Sequence, residues 1–487
     1  MKQAIGKLLW WFEERLELRT SLWTVMRHPI PRDLRTQVGW LYVFGSTAMT
    51  LFVLQIVTGI GLGMVYVPSA GEAYESLEHI NYNVELGWML RAIHNWSANG
   101  MVVLVVVHMT QVFLMGAYKY PRELTWMVGV VLLLLTVGMA FTGQVLRWDA
   151  DSYWGLGVGV AMVGRIPWIG PELVELMLGG PSVGSATLSR FFALHVFVIP
   201  GLLFSALAVH LYLVVRKGIS EPPQPDEPVD PATYEEKYEA KLTTGDPFFP
   251  DVFLRDAAFI GLTLLVVVGV SAILGPDGPG IPPDPTLMHV EPVPDWYFLP
   301  AFAVLALSPP SLETAFILIA PVIGVGIMLL LPVFSGTGQR SWRRRPVAVL
   351  VVIACFLCYG VLWELGVQEP WSPHMTAWSG EPVPPHMLKG LSPKELQGAA
   401  VLQQKTCRNC HALDGLGGQR GPDLTDVATR LTRDQLIRQV IQGGGNMPAY
   451  GKELNRFEVE ALVSFLETCK PKGYAAAESS VVTDRAD

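Results

Sequence analysis

The segment at residues 91–110, "RAIHNWSANGMVVLVVVHMT", carries two histidines fourteen residues apart in a mostly apolar stretch. At about 100° per residue, a fourteen-residue step ends roughly 40° short of four helical turns. His94 and His108 therefore lie on one face of a helix, about 21 Å apart along its axis. Because ionisable side chains inside a membrane are costly and usually functional, this pair is a candidate ligand set.

The composition indicates a polytopic membrane protein. The chain has 487 residues, of which 51% are hydrophobic and 16% charged, whereas soluble domains have about 25% charged residues. The net charge of −8 argues against a nucleic-acid partner, and five cysteines do not form a disulfide scaffold in so long a chain. The N-terminal segment 1–20 is predicted to be an amphipathic helix on the membrane surface, not a cleavable signal peptide.

Seven stretches are long enough to cross the hydrocarbon core, and the fifth is the shortest. They lie at 39–66, 95–116, 125–146, 191–215, 257–274, 312–334 and 347–366. If the N-terminus is cytoplasmic, the inner segments hold 18 Lys and Arg and the outer loops hold 4. The positive-inside rule expects this asymmetry, which places the C-terminus outside.

A second histidine pair occupies the fourth span, where His195 and His210 are fifteen residues apart. The second and fourth spans run in the same direction, so His94 is level with His195 near the outer surface, and His108 with His210 near the inner surface. Two stacked pairs suit bis-imidazole ligation of two haems. The alternative is that each histidine only hydrogen-bonds across a helix interface; dinuclear metal sites need closer ligands.

Glycines repeat the histidine spacing in the two other helices of the bundle. Gly45 and Gly59 are fourteen residues apart in the first span, as are Gly129 and Gly143 in the third. Glycine at these depths would let a flat macrocycle approach the backbone. The alternative is that these are ordinary glycines, which are common in membrane helices.

Spans one to four resemble cytochrome b of the bc-type quinol oxidoreductases. The residues that carry the resemblance are "WFEERLE", "RAIHNWSA", "PRELTW", "WDADSYW", "SRFFALH" and "RKGIS". The fifteen-residue step in the fourth span is similar to the b6f branch, and spans five to seven resemble the small partner subunit of that branch, fused here to the first half. Val43 stands where that branch has the cysteine of an extra covalent inner haem, so no such haem is expected.

The segment "EPVPDWYFLP" (291–300) resembles the quinol-oxidation motif of this family. The resemblance puts Asp295 in the acid position, where a carboxylate accepts a quinol proton, and Tyr297 beside the ring. Pro294 and Trp296 complete the motif. The alternative is an interfacial loop with an aromatic anchor.

Other contacts follow from the resemblance alone. The segment "WGLGVGVAMVGRIPWIG" (154–170) matches the other wall of the quinol pocket, including Gly155. Arg91 and Arg190 lie near the outer histidines and are expected to hold haem propionates, unless they are ordinary interface arginines. For the inner quinone site, the suggested residues are Arg216, Lys217 and Asp256.

The C-terminal region contains a c-type haem motif, "CRNCH", with Cys407 and Cys410 as thioether positions and His411 as axial ligand. Met447, in the Gly-rich segment 443–451, is the expected sixth ligand, and Met387 is a weaker rival. The region resembles a small class I cytochrome c.

The remaining cysteines carry no such motif. Cys355 and Cys358 have no histidine after them, and we expect two buried thiols in the seventh span; Cys469 has no evident partner.

The expected fold is all-α: a four-helix diheme bundle, three further transmembrane helices and a small all-α cytochrome c domain. The predicted organisation is a diheme domain (1–217), a cytoplasmic linker (218–251), a C-terminal cytochrome b domain (252–367), a Pro-rich spacer (368–390), a cytochrome c domain (391–470) and a disordered tail (471–487).

The resemblance implies a quinol:cytochrome c oxidoreductase subunit in a bacterial inner membrane. Its implied cofactors are two b-type haems and one covalent c-type haem, the latter attached outside the cytoplasm. Quinol would be oxidised outside, with one electron crossing through the b haems and the other passing through a Rieske iron–sulfur protein to haem c, coupled to proton translocation. The implied partners are membrane quinol, lipid, a cytochrome c acceptor and a second copy. The alternatives are a non-bifurcating diheme quinol dehydrogenase or electron conduit, and a transporter with a tethered cytochrome.

Overall fold

The computed structural model describes residues 26–35, 37–180, 182–286, 293–367, 382–418, 421–444 and 447–471. The predicted surface helix at the N-terminus, most of the predicted spacer and nearly all of the predicted C-terminal tail lie outside these residues. The surface helix, the spacer and the disordered tail therefore stay predictions from the sequence.

The described chain is mostly helical, with seven helices long and apolar enough to span a membrane. These are Gly39–Gly63, Gly87–Leu114, Glu123–Leu146, Ser185–Lys217, Asp251–Leu274, Leu312–Ser335 and Pro346–Val367. The predicted all-α fold and the seven spans are confirmed. Several of these helices begin earlier than hydropathy predicts. The second starts at Gly87, because the helix continues through the polar Arg91 and His94. The fifth starts at Asp251 and has 24 residues, so it is longer than the predicted 257–274.

We number the described helices in chain order. They are α1 Phe44–Gly63, α2 Ala73–Tyr82, α3 Gly87–Leu114, α4 Glu123–Leu146, α5 Ala150–Gly164, α6 Gly170–Leu178, α7 Ser185–Lys217, α8 Pro231–Thr243, α9 Asp251–Leu274, α10 Leu299–Leu307, α11 Pro310–Ser335, α12 Pro346–Val367, α13 Pro393–Gln404, α14 Arg433–Gln442 and α15 Arg456–Thr468. Two short antiparallel pairs complete the fold: β1 Pro29–Ile30 with β2 Asp246–Pro247, and β3 Ala412–Leu413 with β4 Leu416–Gly417.

The chain divides into two compact units. The first comprises Met1–Arg147, Phe191–Pro279 and Ala320–Gly360, within the described residues. Here α1 packs along α3, and α4 along α7. The apolar centre of the bundle is a buried cluster of Leu51, Phe52, Met101, Leu203 and Val267.

The connection between α7 and α9 is fixed to this first unit by buried polar contacts. Arg340 pairs with Glu221 at 2.6 Å, with both side chains more than nine-tenths buried. The Tyr234 hydroxyl donates to Glu221 (2.9 Å), and Arg122 donates to the Tyr234 oxygen (2.7 Å). Since losing one partner of a buried ion pair costs about 3–5 kcal/mol, this segment is an integral part of the fold.

The second unit comprises Trp148–Arg190, Gly280–Ile319 and Val361–Asp487, again within the described residues. It includes α5, α6, α10 and the small C-terminal helical domain. Each of α13, α14 and α15 begins with a capping box, in which the N-cap side chain and the third helical residue bond each other's backbone N–H. These helices enclose a core that includes Leu402, Leu413, Leu462, Val463 and Phe465.

The expectation for the cysteines of α12 is wrong. Cys355 and Cys358 are both exposed on the surface of this chain, because α12 is apolar all round and turns much of its circumference outward. Cys469 is buried in the C-terminal domain, and burial raises the pKa of its thiol to about 12.

Candidate haem and quinol sites

The structure brings His94 and His195 together in the first unit. Their ring centroids are 6.4 Å apart. A metal–imidazole bond is about 2 Å long, and the nitrogen lies about 1.1 Å from the ring centroid, so two imidazoles on opposite sides of one metal have centroids about 6.3 Å apart. The observed spacing fits one iron held between the two rings.

Two threonines orient these outer histidines. The Thr58 hydroxyl lies 2.9 Å from Nδ1 of His94, and the Thr142 hydroxyl lies 3.0 Å from Nδ1 of His195. Hydrogen bonds at Nδ1 leave Nε2 of each ring for a metal, which is how outer-shell partners fix ligand orientation. Neither threonine is predicted from the sequence pattern, although each directly precedes one of the predicted glycines, Gly59 and Gly143.

The inner pair lies in the same unit, with His108 and His210 within electrostatic reach of each other. Nδ1 of His108 is buried and has no hydrogen-bond partner among the described residues. A buried ring nitrogen of this kind is expected to have a partner. Within the described residues, the inner rings therefore lack the Nδ1 hydrogen bonds that orient the outer rings, and their fit to a metal rests on their paired position in the bundle.

All four predicted glycines face the histidine rings. A Cβ added at Gly59 would lie 3.2 Å from Cε1 of His94, and one at Gly143 would lie 2.9 Å from Cε1 of His195. At the inner level, the corresponding distances to Cε1 are 3.2 Å for Gly45 to His108 and 3.7 Å for Gly129 to His210. Each glycine thus keeps the space beside one imidazole free of side-chain atoms.

A π-helical turn at Leu194–Val198 interrupts α7 and contains His195. A π-bulge adds one residue to a helix without adding rise. The fifteen-residue step from His195 to His210 therefore acts as a regular fourteen-residue step, equal to the step in α3. This corrects the regular helix assumed from the sequence.

The two arginines differ in their surroundings. Arg91 is buried and donates to the carbonyls of Gly278 and Asp277 and to Asn81. These contacts are those of an interface arginine. The side chain of Arg190 is exposed, and its guanidinium lies against Gly179 at the end of α6. The assignment of either residue to a haem propionate stays a prediction.

In the C-terminal domain, Cys407, Cys410 and His411 lie together on a 3₁₀ turn and the residues after it. Nδ1 of His411 lies 2.7 Å from the Pro422 carbonyl, and its ring packs on Gly421, where an added Cβ would lie 2.5 Å from Cε1 of the ring. Burial lowers the pKa of His411, which favours the neutral imidazole, the form that binds metal.

Both methionines considered as a sixth ligand contact the core of this domain. The backbone of Met447 exchanges two hydrogen bonds with that of Gly444, at 2.8 and 3.0 Å. Its sulfur lies 3.6 Å from Nε2 of Gln439. Met387 lies in a 3₁₀ turn, Pro385–Leu388. The ligand role of Met447 stays a prediction.

The residues of the quinol motif lie just before α10 in the second unit. The Tyr297 hydroxyl donates to Oδ2 of Asp295 at 2.6 Å. Pro294 is buried and Trp296 is 36% exposed, with its ring packed edge-on against Tyr297. Gly155 lies in the buried part of α5, in the same unit. The pair Asp295–Tyr297 is thus a hydrogen-bonded acid and phenol at a partly exposed position.

The residues suggested for an inner quinone site lie at helix ends of the first unit. Arg216 and Lys217 are exposed on the last turn of α7, and Asp256 is half-buried in the second turn of α9. The Lys217 carbonyl accepts a hydrogen bond from Arg122.

Paired histidines in a bundle and a Cys-x-x-Cys-His motif in a small helical domain define a membrane cytochrome. The cytochrome b/b6/petB family model matches residues 31–218, the cytochrome b(C-terminal)/b6/petD model matches 283–380, and the model described as cytochrome c oxidase, cbb3-type, subunit III matches 393–466.

Relatives and a solved structure agree with these matches. Cytochrome b6 of Synechococcus elongatus and that of Gracilaria tenuistipitata var. liui are each 39% identical over 218 residues, covering 45% of this chain and 100% of the relative. A solved chain of a hyperthermophilic respiratory complex III superimposes with a TM-score of 0.63 at 30% identity, covering 74% of this chain and 91% of that chain. The chain belongs to the cytochrome b/b6 family, fused to a cytochrome c domain.

Proposed function

We propose that this protein is the cytochrome b and c subunit of a quinol:cytochrome c oxidoreductase in a bacterial inner membrane. The observation that carries the proposal is the set of four histidines, each faced by a glycine, at two levels of one bundle. When bound, two b-type haems and one c-type haem supply one-electron carriers across and outside the membrane.

The contacts described above support an assignment of the residues that would hold these groups. His94 and His195 would bind the outer haem iron, with Thr58 and Thr142 orienting their rings. His108 and His210 would bind the inner haem iron. Cys407 and Cys410 would form the thioether bonds of haem c, and His411 and Met447 would bind its iron.

Quinol oxidation releases two protons and two electrons. Asp295 accepts one proton from the quinol hydroxyl as general base. The Tyr297 hydroxyl, which donates to the same carboxylate, positions that carboxylate and the quinol ring. Proton uptake at the inner face, beside Arg216, Lys217 and Asp256, makes turnover electrogenic.

A separate Rieske iron–sulfur protein accepts the first electron, and a cytochrome c outside the membrane takes the electron delivered to this chain's C-terminal domain. The complex is a homodimer. Membership of the cytochrome b/b6 family and the matches to the two halves of cytochrome b support these proposed partners.

The proposal is tested by counting haems and by replacing the proposed base. The purified complex should contain two b haems and one c haem per chain by pyridine haemochrome analysis. Asp295→Asn should slow quinol-dependent reduction of the b haems by about 100-fold or more, since a general base contributes about 10²–10⁴ in rate.

The spectra of all three haems should be unchanged in Asp295→Asn, which separates loss of the base from loss of the fold. Tyr297→Phe is the companion variant and should slow the reaction by about ten-fold, because a hydrogen bond to a charged group contributes about 1.5–3 kcal/mol. Normal turnover of Asp295→Asn would exclude the proton role, and a lone b haem would exclude the diheme assignment.

A further inference from the structure

A loop of the cytochrome c domain contacts an outer loop of the membrane domain. The backbone N–H of Ala449 donates to the carbonyl of Pro285 at 2.6 Å. Ala449 is two residues after Met447, and Pro285 lies in the segment that leads to the quinol motif. Both belong to the second compact unit.

Residues 280–286 form a loop that we call the outer loop. Two hydrogen bonds anchor it to the start of α5. The Gly280 N–H donates to Oδ2 of Asp149 at 3.0 Å, and the Ala150 N–H donates to the Ile281 carbonyl at 2.9 Å. Asp149 is almost fully buried and also caps α5 through Ser152. The outer loop is therefore a fixed platform at the start of α5.

The facing loop of the cytochrome c domain is also preorganised. Gly443 has a φ of +67°, and a Cβ there would overlap the Met447 carbonyl. This close approach, available to glycine at low cost, places the backbone of Gly443 against Met447 and Ala449, and the Ala449 N–H donates to Pro285.

The two loops also carry opposite charges. Both the backbone N–H and the hydroxyl of Thr286 bond Oδ1 of Asp284, at 2.8 and 2.6 Å, so this carboxylate has one orientation. Lys452, on the 3₁₀ turn after Ala449, acts electrostatically on Asp284. Such pairs at the rim of an interface steer association and fix register.

We propose that the outer loop is an intramolecular docking surface for the Met447 side of the cytochrome c domain. The hydrogen bond from Ala449 to Pro285 sets the position of the domain, and Lys452 opposite Asp284 sets its orientation. The docked domain presents its methionine loop to the membrane domain, leaving the face around Phe457 for a soluble partner. The docking itself is independent of the proposed function. Delivery of electrons to the docked domain rests on that function.

Disulfide trapping in the full chain tests the docking. Pro285→Cys and Ala449→Cys are combined with a protease site inserted in the 368–381 segment, and the cleaved protein is analysed without reductant. A disulfide needs Cα atoms about 4.4–6.8 Å apart, so most of the cytochrome c domain should stay attached to the membrane domain.

The matched control combines Pro285→Cys with Phe457→Cys, because Phe457 is 79% exposed on α15. This pair should link at less than a tenth of the rate. Equal rates for the two pairs, or no link in the first pair with the haem c spectrum intact, would overturn the proposal.

Charge reversal tests the orientation. In the trapping background, Lys452→Glu should slow disulfide formation several-fold at low salt, and Lys452→Glu with Asp284→Lys should restore it. If disulfide formation were no faster in the double variant than in Lys452→Glu alone, the charge pairing would be wrong, and so would the proposed docking orientation. Trapping requires no quinol turnover, so its outcome is independent of the result for Asp295→Asn.

Discussion

The four glycines beside the histidine rings matter because they have no side chain, which leaves the space next to each ring empty. The ring of His195 is packed so closely on α4 that even a methyl group at Gly143 would come within 2.9 Å of it. A glycine in a helix costs about 1 kcal/mol relative to alanine. The bundle carries this cost at four matched positions, which ordinary helix packing does not require.

Gly143→Leu should remove the outer b haem and lower the b-type absorbance by roughly half, because the leucine fills the space beside His195. The matched control is Gly261→Leu in α9, where an added Cβ meets nothing within 4 Å. Difference spectra of purified protein measure the effect. Full b-haem content in Gly143→Leu would contradict the assignment of this glycine.

Met447 is the proposed sixth ligand of haem c, and Met387 is its rival. Met447→Ala should retain the covalent haem but lose the sulfur-to-iron charge-transfer band and lower the midpoint potential by on the order of 100 mV, since axial ligands set haem potentials over about 0.8 V. Met387→Ala is the control and should keep both properties. The reverse result would assign Met387.

Some residues of the site could be predicted from the sequence, and others could not. The histidines and glycines were found because their spacing repeats. Thr58 and Thr142 do not repeat with that period, and only the recurrence of a Thr-Gly pair in α1 and α4 signals them. The surroundings of Arg91 could not be predicted, because its partners are carbonyls about 186 residues away in the chain.

At the scale of the element, α7 shows how a helix absorbs an extra residue. Its π turn at Leu194–Val198 offsets the difference between the fifteen-residue step of α7 and the fourteen-residue step of α3. A sequence pattern cannot locate such a turn, since residue counts alone predict a regular helix with a different phase. The number and order of the spans were predictable, because hydropathy is a property of each segment.

Deletion of Val198 should convert the π turn to regular helix and retain both b haems, because the step between His195 and His210 becomes fourteen residues. Insertion of one alanine after Val198 should lose at least one b haem, since it rotates the two histidines about 100° further apart. Haem content per chain measures both. Haem loss in the deletion variant with retention in the insertion variant would contradict the phase argument.

At the scale of the whole molecule, the two halves of cytochrome b and the cytochrome c domain form one chain of 487 residues. The acidic, Pro-rich composition of the segment between α7 and α9 predicts a linker. The structure instead buries Glu221, Tyr234 and Arg340 in one network. Composition did not reveal this because the partners of Glu221 come from α8 and from the loop before α12.

The orientation of the molecule is the property on which the side of quinol oxidation depends. The excess of Lys and Arg in alternate loops predicts that the loop before α12 faces the cytoplasm and the cytochrome c domain faces outside. Arg343→Cys places a thiol at an exposed position of that loop, and Phe457→Cys places one on the exposed surface of α15.

A membrane-impermeant thiol reagent should label Phe457→Cys in right-side-out vesicles and Arg343→Cys only in inverted vesicles. The parent chain is the control, because Cys355 and Cys358 lie in a membrane span and Cys469 is buried. Cys407 and Cys410 are the proposed thioether positions of haem c, so neither is expected to react. Labelling of both positions from the same side would be incompatible with seven spans. The opposite pattern would place quinol oxidation at the cytoplasmic face and reverse the proposed direction of proton movement.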